Sequence, residues 1–443
     1  MKKTATILLA LLAVGGASFA QEKLALTLED SIQLALNQNP FFQAEKAKEE
    51  QAAAMVKEAF ANFLPSINAQ GSHILDKKVM SILMPSLFGM PAQKIKLDFT
   101  RDYQLALNMS VPLYAGGRIM SGYKQANLNL QATRESIRQS MQDTVFNVKK
   151  AFYGYLLSRK FVDVAQEAVD LAQKHLKNVK SLYEVGMASR FDLLRSEVQA
   201  ANLQPQLIRA RNGLSSAELG LKTLLGLDLK QPIEVKGELS YQAFEANMDA
   251  NVAQALASRP ELVQLSYQKQ MASEMVKMAR AAYIPTVAVG GQYNFWGNNL
   301  KFGGDTWESY YTFSLVLNVP VFNGFVNSAK VGESKAMLKQ LEYSQKGLTE
   351  MVKFEVNDSI LSLQQAKESL LSQEKNVEQA QEAVRIAELN YKEGLATNLD
   401  VSGAHVALSQ ARTNHSQALF DYALALAQLE KAIGAGRDLP SDK

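Results

Sequence analysis

Residues 183–192 read YEVGMASRFD and residues 391–400 read YKEGLATNLD. Each carries a glycine, then a hydroxyl residue three positions on, then an aspartate three further: Gly186, Ser189, Asp192 and Gly394, Thr397, Asp400. Glycine suits the left-handed residue that ends a helix. Ser or Thr with an acid three positions later suits the N-cap of the next one. Both stretches therefore predict a tight turn between two antiparallel helices.

Working outward, no proline interrupts the chain from Ser121 to Tyr183, and Met141, Val145, Val148, Phe152 and Tyr155 recur at the 4-3-4-3 spacing of coiled-coil packing. Roughly 63 helical residues would be ~95 Å long. The returning helix runs from Ser189 to about Leu225, ~50 Å. Upstream, Thr27-Leu28-Glu29-Asp30 opens a helix that stops before Pro40, and a second covers 41–62 and ends before Pro65. The two shorter helices together nearly match the single long one.

The turns belong to a duplication of the chain. Pro40, Met55, Ala61, Pro65 and Gly71 recur 220 residues later as Pro260, Met275, Ala281, Pro285 and Gly291. Tyr103, Val111, Pro112, Gly116, Tyr183, Asp192 and Gly226 recur 208 residues later as Tyr311, Val319, Pro320, Gly324, Tyr391, Asp400 and Gly434. The first copy thus carries twelve extra residues between Gly71 and Tyr103 and no other net gap. This divides the chain into a first repeat over 21–226, a connector over 227–250, a second repeat over 251–434 and a tail over 435–443.

Between its helices each repeat predicts a β-hairpin, about 64–113 and 285–321. Tyr103, Leu105, Leu107, Met109 and Val111 alternate with Gln104, Ala106, Asn108 and Ser110. Tyr311, Phe313, Leu315, Leu317 and Val319 do the same in the second copy. One uncharged apolar face is what lipid demands of a strand. Tyr293, Phe295, Trp296, Trp307, Tyr310 and Tyr311 gather where that face would end, as an interfacial girdle does. Four strands cannot close a barrel alone, and open edges are not tolerated in lipid, so the strands imply an oligomer. The stretch 74–101 is unusually apolar for a surface excursion; it is expected to be a loosely packed loop tip, with folding over the barrel mouth or touching lipid as the alternatives, and no function is placed on it.

The N-terminus pairs Lys2 and Lys3 with an apolar run and the small-residue site Ala17-Ser18-Phe19-Ala20, the layout of a cleaved signal peptide over 1–20. Removing it takes two of the 47 basic residues, against 44 acidic ones, so nothing in the charge argues for nucleic acid. The absence of cysteine rules out disulfides and a lipid-bearing cysteine. His73, His175, His405 and His415 have no metal-ligand spacing, and His405 and His415 are expected on helix surfaces. With no phosphate loop or nucleophile elbow, neither an enzyme nor a cofactor is expected.

The repeat plan, the two strand ends Val111–Gly116 and Val319–Gly324 and the two turns resemble the TolC-like outer-membrane efflux proteins. The resemblance implies a mainly α protein with membrane β. Long coiled-coil hairpins would form a periplasmic tunnel, and four strands per chain a twelve-stranded barrel in a homotrimer spanning the outer-membrane lipid. It also implies an equatorial belt from residues 21–40, 226–260 and 434–443. The helical tips would narrow the tunnel and dock a periplasmic adaptor of an inner-membrane pump. Asp192 and Asp400 are similar to the acids ringing the family's entrance, and each also stands at a capping position. Arg190 and Arg195 lie beside the first acid, whereas Asn398 and Gly403 hold those places in the second copy. A second acid often found three positions on is here Gly403. Gly186, Met187, Gly394 and Leu395 are the expected docking residues. The alternatives are a trimeric coiled-coil surface adhesin and a soluble periplasmic scaffold.

Overall fold

The computed structural model describes residues 24–85, 91–98, 101–241, 243–244, 247–299 and 307–435. The expected signal peptide and, apart from Ala435, the expected tail lie outside them. Along the first repeat come β1 (Leu24–Leu26), α1 (Leu28–Gln38), α2 (Pro40–Ala61), β2 (Ser66–His73), β3 (Met80–Met84), β4 (Gln93–Leu97), β5 (Tyr103–Tyr114), α3 (Arg118–Glu184) and α4 (Arg190–Leu225). Then follow β6 (Ile233–Val235), α5 (Met248–Ser258), α6 (Pro260–Ala281), β7 (Thr286–Gly297), β8 (Trp307–Asn318), α7 (Val326–Lys392) and α8 (Asn398–Ala432). The long helices α3 and α7 have 67 residues each, ~100 Å of helix. The predicted capping box of Thr27 and Asp30 is formed at the start of α1.

The chain packs as two compact units, each drawn from both repeats. One comprises Lys48–Glu135 and Val263–Gly347 and contains the membrane-type sheet. Its strands run β2-β5-β7-β8, all antiparallel, with β5 and β7 joining the two repeats. Register aligns Ile67, Met109, Gly291 and Phe313 in one row and Ala69, Leu107, Tyr293 and Tyr311 in the next. Because side chains alternate with period two, these share one face with Leu105, Val289, Leu315 and Leu317. Asn68, Asn108, Gln292 and Thr312 line up on the other. Tyr311, Phe313, Leu315 and Leu317 are 62–72% exposed, so the apolar face is covered by nothing among the described residues.

Two expectations are corrected here. The stretch 74–101 contains an antiparallel hairpin, in which Met80 pairs with Leu97 and Met84 with Gln93; Lys94–Leu97 alternates polar and apolar residues, and the largely apolar run of Met80–Met84 pairs with it. The six aromatics do lie at one end of the sheet, but not on one side. Tyr293, Phe295, Trp307 and Tyr311 share the apolar face, while register places Trp296 and Tyr310 on the polar one. There the Trp296 indole donates to Glu308 (2.8 Å) and its ring lies 4.9 Å from Tyr310. Clustering in sequence ignores the alternation that sorts neighbours to opposite faces.

The other unit takes the chain up to Ala47, Ser136–Leu262 and Leu348 onward. It contains two copies of one core. Ala35, Val148, Phe152, Leu221 and Leu225 are buried in the first, and Ala255, Val356, Ile360, Leu429 and Ile433 in the second. Each second-copy residue is the repeat equivalent of its partner. The parallel pair β1–β6 covers the first core, with Leu26, Ile233 and Val235 buried in it. Three-residue strands this short leave no period to read in the sequence. Between the copies α8 runs antiparallel to α3, tied by ion pairs of Asp143 with Lys431, Lys149 with Glu430 and Glu167 with Arg412.

Candidate functional site

The two helix-hairpin tips repeat one backbone device. At the end of α3, Gly186 (φ +78°) donates to the Tyr183 carbonyl and Met187 to the Leu182 carbonyl, at 3.0 and 2.8 Å. At the end of α7, Gly394 (φ +72°) donates to Tyr391 and Leu395 to Asn390, at 3.1 and 2.7 Å. These are the paired bonds of a Schellman motif, which needs a left-handed residue at the glycine. A Cβ at either glycine would meet nothing within 4 Å, so the backbone angle alone demands glycine. Met187 and Leu395 follow the glycines and are 76% and 79% exposed. In this motif the residue at that place usually packs back on the helix; here both are left bare.

Both returning helices start on a capping box. The Ser189 hydroxyl accepts from the Asp192 N–H (3.1 Å), and the Asp192 carboxylate accepts from the Ser189 N–H. The Asp400 carboxylate accepts from the Thr397 N–H and hydroxyl at 2.8 and 2.6 Å. Those two bonds, the hydroxyl's first, hold the Asp400 carboxyl below its ordinary value.

The tips differ just after the cap. Arg190 is exposed, but its counterpart Asn398 is buried. The Asn398 side-chain NH₂ donates to the Asp192 carbonyl (3.0 Å) and to the Ser196 hydroxyl (3.1 Å). A carbonyl can only accept, so the Asn398 oxygen must face His175 at 2.6 Å, and the His175 Nε2 must carry the proton. Burial pushes the His175 pKa down, the Asn398 bond opposing it. The His405 ring stands edge-on to it at 5.8 Å and contacts Glu388 at 2.9 Å. His405 is thus enclosed, its side chain only 11% exposed, and not an ordinary helix-surface residue. Arg195 lines a cavity of about 420 Å³ together with His175, Ser196, Asn398 and His405.

Sequence reasoning placed the acids and glycines on the tips but passed over Asn398 and His175 as partners. The one signal was Asn398 standing where the repeat has Arg190, because an amide can be buried with three hydrogen bonds far more readily than a guanidinium. Among the described residues no group of acids, histidines or cysteines is arranged to hold a metal.

A family model described as outer membrane efflux protein matches residues 31–227 and 251–435, the two repeats. The chain belongs to the outer membrane efflux protein family. It is an outer-membrane channel and not an enzyme, and in this family such channels act as homotrimers with periplasmic adaptors and inner-membrane pumps. Among curated relatives, it is 26% identical to the alkaline protease secretion protein AprF of Pseudomonas aeruginosa, over 94% of this chain and 85% of that protein. It is 24% identical to the pyoverdine export outer membrane protein OpmQ of Pseudomonas putida, over 92% and 86%. Among solved structures it shares the fold of the transmembrane channel CusC, with a TM-score of 0.77 at 19% identity over 92% of each chain.

Proposed function

We propose that this chain is the passive exit duct of a tripartite export assembly, fed by an inner-membrane pump through a periplasmic adaptor. The observation that carries it is the β2-β5-β7-β8 sheet, with one exposed, uncharged apolar face, one polar face and two edges unpaired among the described residues. In lipid those edges must be closed by other copies, and three copies give twelve strands around a polar lumen. Purified from the outer-membrane fraction, the protein should run as a heat-modifiable trimer and conduct ions in planar bilayers. A soluble monomer would overturn this reading. The relatives' names cover cargoes as unlike as a protease and pyoverdine, a range that a passive duct accommodates.

The tips then form the periplasmic entrance. Asp192 and Asp400, with Arg190 and Arg195 offsetting the first acid, form its constriction. Asp400, which has no arginine near it in the tip sequence, lines the constriction. In Asp400→Ala, unchanged single-channel conductance and selectivity would remove it from this role. Gly186, Met187, Gly394 and Leu395 form the adaptor-docking surface, supported by the exposure of Met187 and Leu395. Covering such a side chain is worth about 1.5–3 kcal/mol. Met187→Asp with Leu395→Asp should therefore abolish adaptor cross-linking while trimers persist.

A further inference from the structure

The hairpin β3–β4 has no counterpart among the described residues of the second repeat and lies between Gly71 and Tyr103, where the first repeat is twelve residues longer. Its two faces differ sharply. Met80 opposite Leu97 and Ile82 opposite Ile95 make one face apolar, with Met84 beside them. Ser81 opposite Lys96 and Leu83 opposite Lys94 make the other face cationic. Met80, Ile82, Met84 and Ile95 are all exposed. A two-stranded hairpin is marginal in water without a third element to cover its apolar side.

The root of the hairpin fixes its depth. The Ile74 N–H donates to the Asp102 carbonyl at 2.9 Å, and Lys77 bridges Asp98 and Asp102 at 2.6 Å each. The next residues out of this root, His73 and Tyr103, stack at 4.2 Å, and Tyr103 stands 6.5 Å from Trp307. The hairpin therefore emerges at the aromatic belt that ends the apolar face of the sheet, on the end opposite the helices. With the helices in the periplasm, that end is the cell exterior, at the headgroup level of the outer leaflet.

We infer that β3–β4 is a lipid-anchoring hairpin, its Met80–Ile82–Met84 face among acyl chains and Lys94 and Lys96 on headgroup phosphates of the outer leaflet. This rests on the sheet being a membrane barrel. The exposed apolar side chains stand beside the aromatic belt of that sheet and need the same apolar cover. The lysines make no ion pair among the described residues, since Asp98 and Asp102 hold Lys77 and Glu308 holds Arg101. A second copy would bring the same cations together, and a water-filled channel mouth would leave the apolar face uncovered.

The chain has no cysteine, so single-cysteine probes test this directly in the full-length trimer. Fluorophores at Ile82→Cys, and at Leu315→Cys on the barrel face, are read in phosphatidylcholine vesicles with brominated acyl chains, with and without phosphatidic acid. The Ile82 probe should be quenched by bromolipid within about twofold of the Leu315 probe and protected from aqueous iodide; Met80→Cys replaces it if trimers fail. Phosphatidic acid should deepen the lipid quenching. Lys94→Gln and Lys96→Gln should each lower the lipid-bound to free ratio about fivefold. With Leu315 lipid-quenched, an Ile82 probe reached by iodide, shielded from both quenchers, or indifferent to phosphatidic acid overturns the inference. A Leu315 probe that lipid does not quench instead overturns the barrel.

Discussion

The tips at 184–192 and 392–400 share a backbone and differ in a single decisive side chain. Both end a helix on a left-handed glycine and restart it on a capping box with an aspartate. Yet Asn398 is buried against His175, Ser196 and the Asp192 carbonyl, while Arg190 stays in solvent. Local chemistry repeated faithfully by duplication thus makes two equal turns. Contacts across more than 200 residues of sequence bury Asn398 of the second tip against the first hairpin, while the equivalent Arg190 side chain stays in solvent.

Replacing Asn398 should give the largest effect. Asn398→Leu leaves the buried His175 Nε2–H without an acceptor, while the Ser196 hydroxyl keeps its own bond to the Asp192 carbonyl (2.9 Å), and should cost about 1–3 kcal/mol. Arg190→Leu should stay within about 0.5 kcal/mol. Amide exchange through the first turns of α4 and α8 reads both, and equal effects would erase the distinction between the tips. Next come the glycines. Gly186→Ala and Gly394→Ala should each lose about 1–2 kcal/mol, because an L-residue is forced into the left-handed region. Here the comparison predicts equality, measurable by chemical denaturation, and a large difference would mean the turns are not the same device.

The caps should cost less again. Ser189→Ala and Thr397→Val should each remove about 1 kcal/mol of local helix stability by the same exchange measurement. Titration gives the smallest change. The Asp400 carboxyl is held below its ordinary 3.8, so its contribution is complete above that value and fades only as pH falls through the lowered one. Mild acid should therefore leave this cap intact. His175 is also depressed, from 6.5, so the unfolded ring takes up a proton first. The packing of this tip should weaken as pH falls below about 6.5 and level off below the folded value. Because Nε2 already donates to Asn398, protonation does not break that bond, and the loss stays modest. His405, Glu388 and Tyr391 face the same ring, so the control is His175→Gln, which should flatten the pH dependence of stability between 7.5 and 5.5.

The same contrast of local and distant contacts runs through the rest of the molecule. The buried residues Val148 and Phe152, and their equivalents Val356 and Ile360, fall on the helical period, so the core of each repeat was legible. The apolar face of β5 and β8 was legible because period two is strict. The small β1–β6 pair was not, since Leu24–Leu26 and Ile233–Val235 are too short to show a period and meet over the core of the first repeat. Nor was the split of the girdle, which needed the register between β7 and β8.

By itself the sequence determined the duplication, the helix lengths, the two glycine turns with their caps, and the apolar strand face. Each follows from interactions between residues a few positions apart, and those recur wherever the pattern does. The tertiary structure alone decided that Asn398 is buried and Arg190 is not, that His175 and His405 are enclosed, and that the extra stretch in the first repeat is an amphipathic hairpin rooted at Lys77. Those outcomes depend on which side chains the packed helices and strands bring within hydrogen-bond reach, and no local period encodes that.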